Sequence, residues 1–343
     1  MTVKIAVIGA GAWGINHVRA FARAKDAELV MVCDASEEAL ARVKSIAPHA
    51  KLGRDLFEAL TSADVEAVVL ATPAPAHAEQ AVAALAAGRH VLVEKPLALR
   101  VSDAELVVAA ARRAKKTLMV GHLMLYHPVV DMLKAMVDKG ELGDLLYMYA
   151  LRVNLGRVRR DENAMWSLAP HDISMIMHIV GAQPESVSAR GGSYLQKGVD
   201  DVVFLNLRFP SGLMAQVQLS WLDPRKERRL TIVGAQKMVE FDDVHPVEKL
   251  RIYDKGIDRP PTFTEYAEYL SIRNGDILIP RVGMAEPLEL ECKHFLDCVQ
   301  AGKQPMSDGD SGLRVVRVLE AAQRSMDVDG APVQIPRAPG VHR

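Results

Sequence analysis

The sequence has no excess of either charge and contains little cysteine. Lysine and arginine total 42 against 43 aspartates and glutamates, which gives a formal net charge of -1. This balance argues against a nucleic-acid partner, because nucleic-acid-binding proteins usually have a basic excess. The three cysteines, Cys33, Cys292 and Cys298, form no CxxC pair. They fit a reducing compartment and argue against a disulfide scaffold or a cysteine-rich zinc site.

Long apolar runs and metal-binding patterns are also missing. No stretch reaches the roughly 18 uninterrupted apolar residues of a membrane helix. The N-terminus leads straight into a strand pattern, without the regions of a signal peptide. His171 and His178 lie in no HExxH pattern, so a zinc dehydrogenase is a poor match and no metal is expected. We therefore expect a soluble, cytoplasmic protein without a membrane partner.

The length of 343 residues and the 49% hydrophobic content are those of an ordinary globular protein with about two domains. Over the first third, short apolar runs alternate with helical patterns, beginning with the run Val3 to Ile8. This alternation predicts βαβ crossovers and a doubly wound parallel sheet, that is, a Rossmann domain over residues 1–123. Ser102 and Glu105 have the spacing of a capping box and predict the start of a helix that continues to Arg113.

Residues 124–330 show a different pattern and predict an α+β domain, followed by a C-terminal tail over 331–343. Pro210-Ser211-Gly212 separates two runs with period-two alternation, which predicts a hairpin. Asn274-Gly275, between 270–273 and 277–279, predicts a second hairpin. Helices are predicted from about Pro287 to Gln300 and from Gly312 to Ser325, both within this second domain.

A glycine-rich loop follows the first predicted strand, with the pattern GxGxxG. Its glycines permit a tight turn and let backbone amides approach a pyrophosphate at a helix N-terminus. Asp34 lies twenty positions past Gly14, where a carboxylate accepts hydrogen bonds from the ribose hydroxyls and repels a 2′-phosphate. The sequence therefore favours NAD over NADP as cofactor. The predicted cofactor-binding residues of this region are Gly9, Gly11, Ala12, Trp13, Gly14 and Asp34.

Two further segments follow predicted strands, at the edge where open α/β sheets bind ligands. The first contains Thr72, Pro73 and His77, and the second is Glu94-Lys95-Pro96. We expect Thr72, Pro73, His77, Glu94 and Lys95 to line the nicotinamide pocket. Lys95 is the strongest candidate among them for a chemical role. The alternative is a surface lysine that pairs only with Glu94.

A third segment runs from Asn163 to Ser174. Pro170 suits the first turn of a helix, which predicts His171 in that turn. An imidazole titrates near neutral pH and suits a group that accepts a hydroxyl proton, although a lone histidine is more often structural.

A polar stretch precedes this segment and comprises Arg152, Asn154, Arg157, Arg159 and Arg160. Its arginines either bind a phosphate of the substrate or form a solvated basic loop, and both interpretations remain open.

His122 and Tyr126, beyond the sixth predicted strand, are candidate sugar contacts. Ordinary polar contacts at a domain junction are the alternative for both residues. Their role stays open on the sequence alone.

Five features of the sequence together resemble the Gfo/Idh/MocA family, and the resemblance covers nearly the whole chain. They are the glycine loop, Asp34, the segment from Ala71 to His77, Glu94-Lys95-Pro96 and the His171 segment. The resemblance implies an NAD(P)-dependent sugar or polyol dehydrogenase. Its second domain would have a large, open, mostly antiparallel sheet that forms a homodimer or homotetramer. Lys95 and His171 would be catalytic, Trp166 would contact the cofactor, and Asn163, His171 and Asp172 would contact the substrate. The family commonly has an aspartate four residues before the histidine, where this sequence has Ser167. Whether Ser167 or Asp172 takes its place stays open.

The form WxLAPHDIS, which begins at Trp166, is similar to a subgroup that includes UDP-N-acetylglucosamine 3-dehydrogenases. It implies oxidation of the C3 hydroxyl of that nucleotide sugar. The alternative within the family is an inositol or hexose dehydrogenase that acts on free polyols. The alternative from another class is a non-catalytic, NAD-sensing regulatory protein.

Overall fold

The computed structural model describes residues 2–156, 158–159, 162–258 and 271–336. Its contacts divide the chain into two compact units. The first comprises Met1–Tyr126 with Ala285–Glu320, and the second comprises His127–Met284 with Ala321–Arg343. Residues 285–320 thus pack with the first unit, whereas the sequence prediction places them in a domain over 124–330.

The sheet of the first unit is parallel and doubly wound, as predicted. Within residues 2–126 it contains six strands in the order β3-β2-β1-β4-β5-β6. The strands are β1 (Val3–Ile8), β2 (Ala27–Cys33), β3 (Lys51–Gly53), β4 (Ala67–Leu70), β5 (His90–Glu94) and β6 (Leu118–Gly121). Most of their residues are buried, as expected for strands that are covered on both faces.

Amphipathic helices connect these strands. Ile15, Val18 and Phe21, for example, recur at helical spacing and form the buried face of the first helix. The helices are α1 (Gly14–Arg23), α2 (Glu37–Ile46), α3 (Leu56–Thr61), α4 (His77–Ala86) and α5 (Val101–Ala114). The predicted capping box at the start of α5 is wrong. Arg100 is the N-cap without a side-chain cap bond, and the Val101 amide instead donates to Glu320 Oε1 over 3.0 Å.

The second unit contains a large, mostly antiparallel sheet, which confirms the predicted fold class. In its described part, nine strands lie in the order β14-β13-β12-β11-β7-β10-β9-β8-β15, and only β7 and β10 pair in parallel. The strands are β7 (Leu145–Val153), β8 (Ser186–Gly192), β9 (Val202–Arg208), β10 (Met214–Ser220), β11 (Glu227–Gly234), β12 (Met238–Asp242), β13 (Leu250–Asp258), β14 (Ser271–Leu278) and β15 (Val333–Gln334). The predicted tail therefore contributes an edge strand, and residues 337–343 lie outside the described part of the chain.

One of the two predicted hairpins is present. β9 and β10 pair in antiparallel fashion around Pro210-Ser211-Gly212. The second prediction is wrong, because Asn274-Gly275 lies inside β14, which pairs with β13 along its length. A Cβ at Gly275 would approach Asp254 Oδ2 to 2.5 Å. The glycine is needed there for a close strand contact rather than for a turn.

Two helices pack in the second unit, α6 (Pro128–Asp138) and α7 (Ala164–Val180). Asn163 caps α7, with its Oδ1 accepting a hydrogen bond from the Trp166 amide over 3.0 Å. The predicted helix start at Pro170 is therefore wrong. Pro170 lies inside α7, and His171 lies in the middle of the helix rather than in its first turn.

Two further helices follow β14, namely α8 (Pro287–Ala301) and α9 (Gly309–Asp327). α8 ends at Gly302, close to the predicted end at Gln300, and Gly302 adopts the left-handed conformation at φ 63°. α8 packs on α1 and β1 within the first unit. No helix in the described ranges combines the length and apolar character needed to cross a bilayer.

Candidate active site

The glycine loop between β1 and α1 has the shape of a dinucleotide cradle. Gly9 has φ +91°, and a Cβ there would meet the Ala71 carbonyl oxygen at 2.6 Å. A Cβ at Gly14 would lie 2.0 Å from the Gly9 carbonyl oxygen, so both glycines are required for the turn itself. Gly11 has open space instead, with no atom of the described structure within 4 Å of a Cβ. The loop therefore fits an approaching pyrophosphate at the N-terminus of α1.

Asp34, at the end of β2, joins this loop to the predicted ribose position. Its Oδ2 accepts from the Ala10 amide over 2.6 Å, and its Oδ1 accepts from the Ser36 amide over 2.8 Å. A carboxylate has about four lone-pair sites, so acceptor capacity remains for ribose hydroxyls. Arg54, which sequence reasoning missed, contacts the adjacent segment through the Ala35 carbonyl and the Glu37 carboxylate. Because Glu37 balances the positive charge of Arg54, the negative charge of Asp34 still favours NAD over NADP.

The segment after β4 is tied to the segment after β5 through His77. His77 Nδ1 lies 2.8 Å from the Pro96 carbonyl oxygen, and Nε2 lies 2.8 Å from the Thr72 carbonyl oxygen. The Thr72 hydroxyl donates to Gln80 Oε1 over 2.6 Å, while Pro73 is exposed. His77 thus holds two loops at the carboxyl edge of the sheet, and the predicted cofactor contacts of these residues stay predictions.

Glu94 and Lys95 lie where β5 ends, at the edge of the sheet where open α/β folds bind ligands. Glu94 is buried and accepts hydrogen bonds from Trp13 Nε1 over 2.5 Å, from His17 Nε2 over 2.7 Å and from the Lys95 amide over 3.2 Å. Burial alone would raise the pKa of Glu94, but His17, Lys95 and Trp13 together lower it, so the carboxyl is ionised. Trp13 therefore connects the glycine loop to the lysine segment.

His122 and Tyr126 follow β6 in the same unit. His122 is 1% exposed, and neither ring nitrogen has a hydrogen-bond partner among the described residues. Burial, opposed by Glu94 and assisted by Lys95, lowers the pKa of His122 to about 4. The Tyr126 hydroxyl already bonds to the Ser307 hydroxyl over 2.9 Å. Of the two candidates, only His122 has unused polar atoms, and substrate contact by either residue stays a prediction.

In the second unit, Asn163 and Trp166 meet at the start of α7. Asn163 Nδ2 and Trp166 Nε1 both donate to Gln323 Oε1, over 3.1 and 3.3 Å. These bonds lock the beginning of the helix that contains Ser167 and His171. Ser167 lies four residues before His171 and hence on the same side of α7. The contacts of Asn163 and His171 with substrate and of Trp166 with the cofactor stay predictions.

Asp172 forms a buried ion pair with Arg152 on β7. Arg152 Nε lies 2.6 Å from Asp172 Oδ2, and Nη2 lies 3.1 Å from Oδ1. The exposed fractions of the two side chains are 7% and 3%. This bidentate pairing occupies both charges, so Arg152 is unsuited to a phosphate and Asp172 already has a structural partner.

The remaining members of the predicted arginine stretch are described only in part. Arg159 pairs with Glu162 over 2.8 Å and is half-exposed, and its carbonyl oxygen accepts from Gln196 Nε2. Asn154 lies at the end of β7, where its amide donates to the Ser220 carbonyl. Arg157 and Arg160, whose phosphate contacts stay predictions, lie outside the described residues.

Sequence reasoning missed His17, Glu291 and Gln323, each of which contacts or faces a predicted site residue. Glu291 offered a signal: it occupies the apolar face of α8, three residues after Leu288 and one turn before Phe295. A carboxyl group in such a position is unusual, because acidic residues are seldom fully buried. His17 follows the glycine loop by one helical turn and had no distinctive pattern.

The glycine cradle, Asp34 and a lysine at the carboxyl edge of a parallel sheet define a dinucleotide-dependent oxidoreductase. Two family models match the chain: an oxidoreductase family with an NAD-binding Rossmann fold over residues 3–122, and the GFO/IDH/MocA C-terminal domain over residues 130–240. The chain belongs to the Gfo/Idh/MocA family of NAD-dependent oxidoreductases.

Relatives of known structure or function match nearly the whole chain. A crystallised protein from Magnetospirillum magnetotacticum, described as a candidate oxidoreductase, is 31% identical, with a TM-score of 0.79 and coverage of 94% of this chain and 99% of that chain. Inositol 2-dehydrogenase of Rhizobium meliloti is 25% identical over 95% of this chain and 97% of its own length. The UDP-N-acetylglucosamine 3-dehydrogenase GnnA from Acidithiobacillus ferrooxidans is 23% identical, with a TM-score of 0.80 over 96% of this chain and 98% of that chain.

Proposed function

We propose that this enzyme oxidises a secondary hydroxyl of a sugar, with the C3 hydroxyl of UDP-N-acetylglucosamine as the first candidate. The observation on which the proposal rests is the lysine at the end of β5, beside the buried, ionised Glu94. A cationic donor at the ligand edge of an NAD-binding sheet suits the oxygen of an alcohol that loses its proton.

Lys95 and His171 would divide the proton chemistry between them. Lys95 donates a hydrogen bond to the substrate oxygen and stabilises the negative charge that develops there. The imidazole of His171 accepts the hydroxyl proton. NAD, when bound, supplies the hydride acceptor. Trp13, Glu94 and Asp34 hold the loop and the lysine in position without taking part in bond changes.

The nucleotide sugar is the first candidate because of the segment that begins at Trp166, which is similar to that of UDP-N-acetylglucosamine 3-dehydrogenases. GnnA shares the fold of this chain, which is compatible with this choice. A free polyol is the second candidate. One of the relatives, an inositol 2-dehydrogenase, favours it. The arginines also favour it, because Arg152 and Arg159 are both already paired with carboxylates rather than left for a phosphate.

Replacing Lys95 by alanine is expected to lower kcat at least about a hundredfold, in line with typical contributions of acid–base groups. The NAD dissociation constant should change little, because the cradle lies in the glycine loop. Lys44→Ala, an exposed residue of α2, is the matched control and should retain full activity. Near-normal turnover of the Lys95→Ala enzyme would remove Lys95 from the mechanism.

The substrate class is tested by measuring NADH formation with UDP-N-acetylglucosamine, free hexoses and inositols in parallel. The proposal expects the highest kcat/KM for the nucleotide sugar. A preference for inositol would establish the second candidate. Absence of turnover with every sugar, together with tight NAD binding and a protein partner, would instead favour the regulatory alternative.

We further propose that the open sheet of the second unit forms a homodimer or homotetramer. Tyr147, Phe204 and Met214 lie on one face of it and are 45%, 42% and 63% exposed. Apolar side chains grouped on one exposed face mark interaction surfaces. Tyr147→Lys should shift the mass measured by light scattering toward the monomer, and a wild-type monomer would refute the proposal.

A further inference from the structure

A group of titratable side chains is buried in the first unit around the carboxylate of Glu94. His17 Nε2 lies 2.7 Å from Glu94 Oε1, and His17 Nδ1 lies 3.9 Å from Cys292 Sγ on α8. An ionised carboxylate only accepts hydrogen bonds, so the proton of this contact belongs to His17 Nε2. The same carboxylate oxygen receives the indole hydrogen of Trp13. Glu94 is thus fixed from the glycine loop and from α1 at once.

The space for this carboxylate is built into the neighbouring strand. A Cβ at Gly121, the last residue of β6, would lie 3.2 Å from the carboxyl atoms of Glu94. A Cβ at this position would force the carboxylate to shift by a few tenths of an ångström, so the glycine leaves room for it. The position of Glu94 directly before Lys95 is therefore specified by three separate elements, namely the glycine loop, α1 and β6.

A second carboxyl group, that of Glu291 on α8, is buried nearby without a partner. Glu291 is 0% exposed, and neither carboxyl oxygen has a hydrogen-bond partner among the described residues. Burial and the negative charge of Glu94 raise the pKa of Glu291 well above its usual value. Two buried carboxyl groups that interact electrostatically do not readily ionise together, because their like charges repel.

Tyr126 and Cys292, two titratable groups that interact electrostatically with Glu291 in the described structure, carry no positive charge. Cys292, its neighbour on α8, is a buried thiol whose pKa is raised by burial and by Glu291 and Glu94. Tyr126, in the turn Leu123–Tyr126 that packs on α8, is a neutral phenol bonded to Ser307. His17 faces Glu94, and Glu286 and Glu289 lie exposed at the start of α8. The surroundings therefore stabilise the neutral acid.

We infer that Glu94 is the positioning residue of Lys95, and that Glu291 stays protonated so that the two carboxyls share one negative charge. This inference rests on the proposed role of Lys95. The negative charge on Glu94 favours the ammonium form of Lys95 over the neutral amine, and the ammonium is the better hydrogen-bond donor. A second charge on Glu291 would cost desolvation without a partner. The pair thereby links the cofactor loop, through Trp13, to the lysine that faces the substrate.

The protonation of Glu291 is tested in the resting protein, without cofactor or substrate. The infrared difference spectrum between wild type and Glu291→Gln should show the carbonyl band of a neutral carboxylic acid at neutral pH. The exposed Glu289→Gln variant should lack this difference. Carboxyl-¹³C glutamate in the wild-type chain provides a second measurement that needs no substitution. Absence of a protonated glutamate in both measurements would overturn this half of the inference.

The positioning role is tested with Glu94→Gln, which keeps the side-chain shape and removes the charge. We expect kcat to fall at least about tenfold, and the basic limb of the pH profile to move to lower pH by about one unit. The reason is that a lysine without its counter-charge loses its proton more readily. A merely structural role would lower activity without moving the limb. The exposed Glu79→Gln variant is the control and should match wild type in both readouts.

A double-variant comparison separates this inference from the proposed function. Glu94→Gln should cause no further loss of turnover when it is added to Lys95→Ala, because Glu94 acts through the lysine. Additive losses, or an unmoved limb in the single variant, would overturn the positioning role. Normal turnover of Lys95→Ala would refute the proposed function and the role of Glu94 together. The infrared band tests Glu291 in either case.

Discussion

Replacing Asp172 with alanine is expected to destabilise the protein strongly rather than to weaken substrate binding selectively. Asp172 and Arg152 form two hydrogen bonds, of 2.6 and 3.1 Å, and more than nine-tenths of each side chain is buried. Removal of the carboxylate leaves a guanidinium buried without its counter-charge. Breaking one side of such a pair costs about 3–5 kcal/mol. That loss is a large part of the roughly 5–15 kcal/mol that stabilises a typical protein.

The assay is urea unfolding followed by intrinsic fluorescence. Glu185→Ala, which removes an exposed ion pair with Arg208 in the same sheet, is the matched control and should cost less than about 1 kcal/mol. A double variant, Arg152→Met with Asp172→Leu, should recover most of the stability because no charge remains buried. A loss below about 1 kcal/mol for Asp172→Ala, with a large rise in KM, would refute the reasoning and favour the predicted substrate contact.

Two further predictions concern the first unit. Asp34→Ala should raise the ratio of kcat/KM for NADP to kcat/KM for NAD at least about tenfold, because the carboxylate that repels a 2′-phosphate is lost. Steady-state rates with both cofactors measure this ratio. An unchanged ratio would contradict the prediction. His122, with its pKa lowered to about 4 by burial, takes up its proton on unfolding, so it reduces stability as the pH falls from about 6.5 to about 4. His122→Gln should reduce this pH-dependent loss of stability by up to about 3 kcal/mol, whereas the exposed control His49→Gln should leave it unchanged. The measurement is the free energy of unfolding from urea titrations at several pH values. Equal slopes of this free energy against pH for wild type and His122→Gln would rule the effect out.

The sequence was sufficient for the parts of the fold that repeat a local pattern. Alternating apolar runs and helical faces predicted the parallel sheet, and the alternation around Pro210-Ser211-Gly212 predicted the β9–β10 hairpin. The Asn274-Gly275 prediction failed because that glycine serves a close approach of β14 to Asp254, which no local pattern reveals. The same limit applies to α8, whose sequence does not show that it packs on α1 and β1.

The site shows the same division between local and long-range information. The glycine loop and Asp34 were recognisable because their spacing follows from the strand–turn–helix geometry itself. The start of α7 was misplaced because Pro170 is tolerated inside a helix that Asn163 caps seven residues earlier. The partners that fix the chemistry, Arg152 for Asp172 and His17 for Glu94, are separated from them by 20 and 77 residues, so their contacts required the folded structure.

The central claim is that this chain removes the hydride from C3 of UDP-N-acetylglucosamine and passes it to NAD. The most direct measurement uses UDP-N-acetylglucosamine with deuterium at C3, incubated with the enzyme and NAD, followed by mass spectrometry of the reduced cofactor. The account predicts one deuterium in each NADH formed and a slower rate than with the unlabelled sugar. NADH that forms without deuterium, or no NADH from this sugar under conditions in which another substrate is turned over, would contradict it.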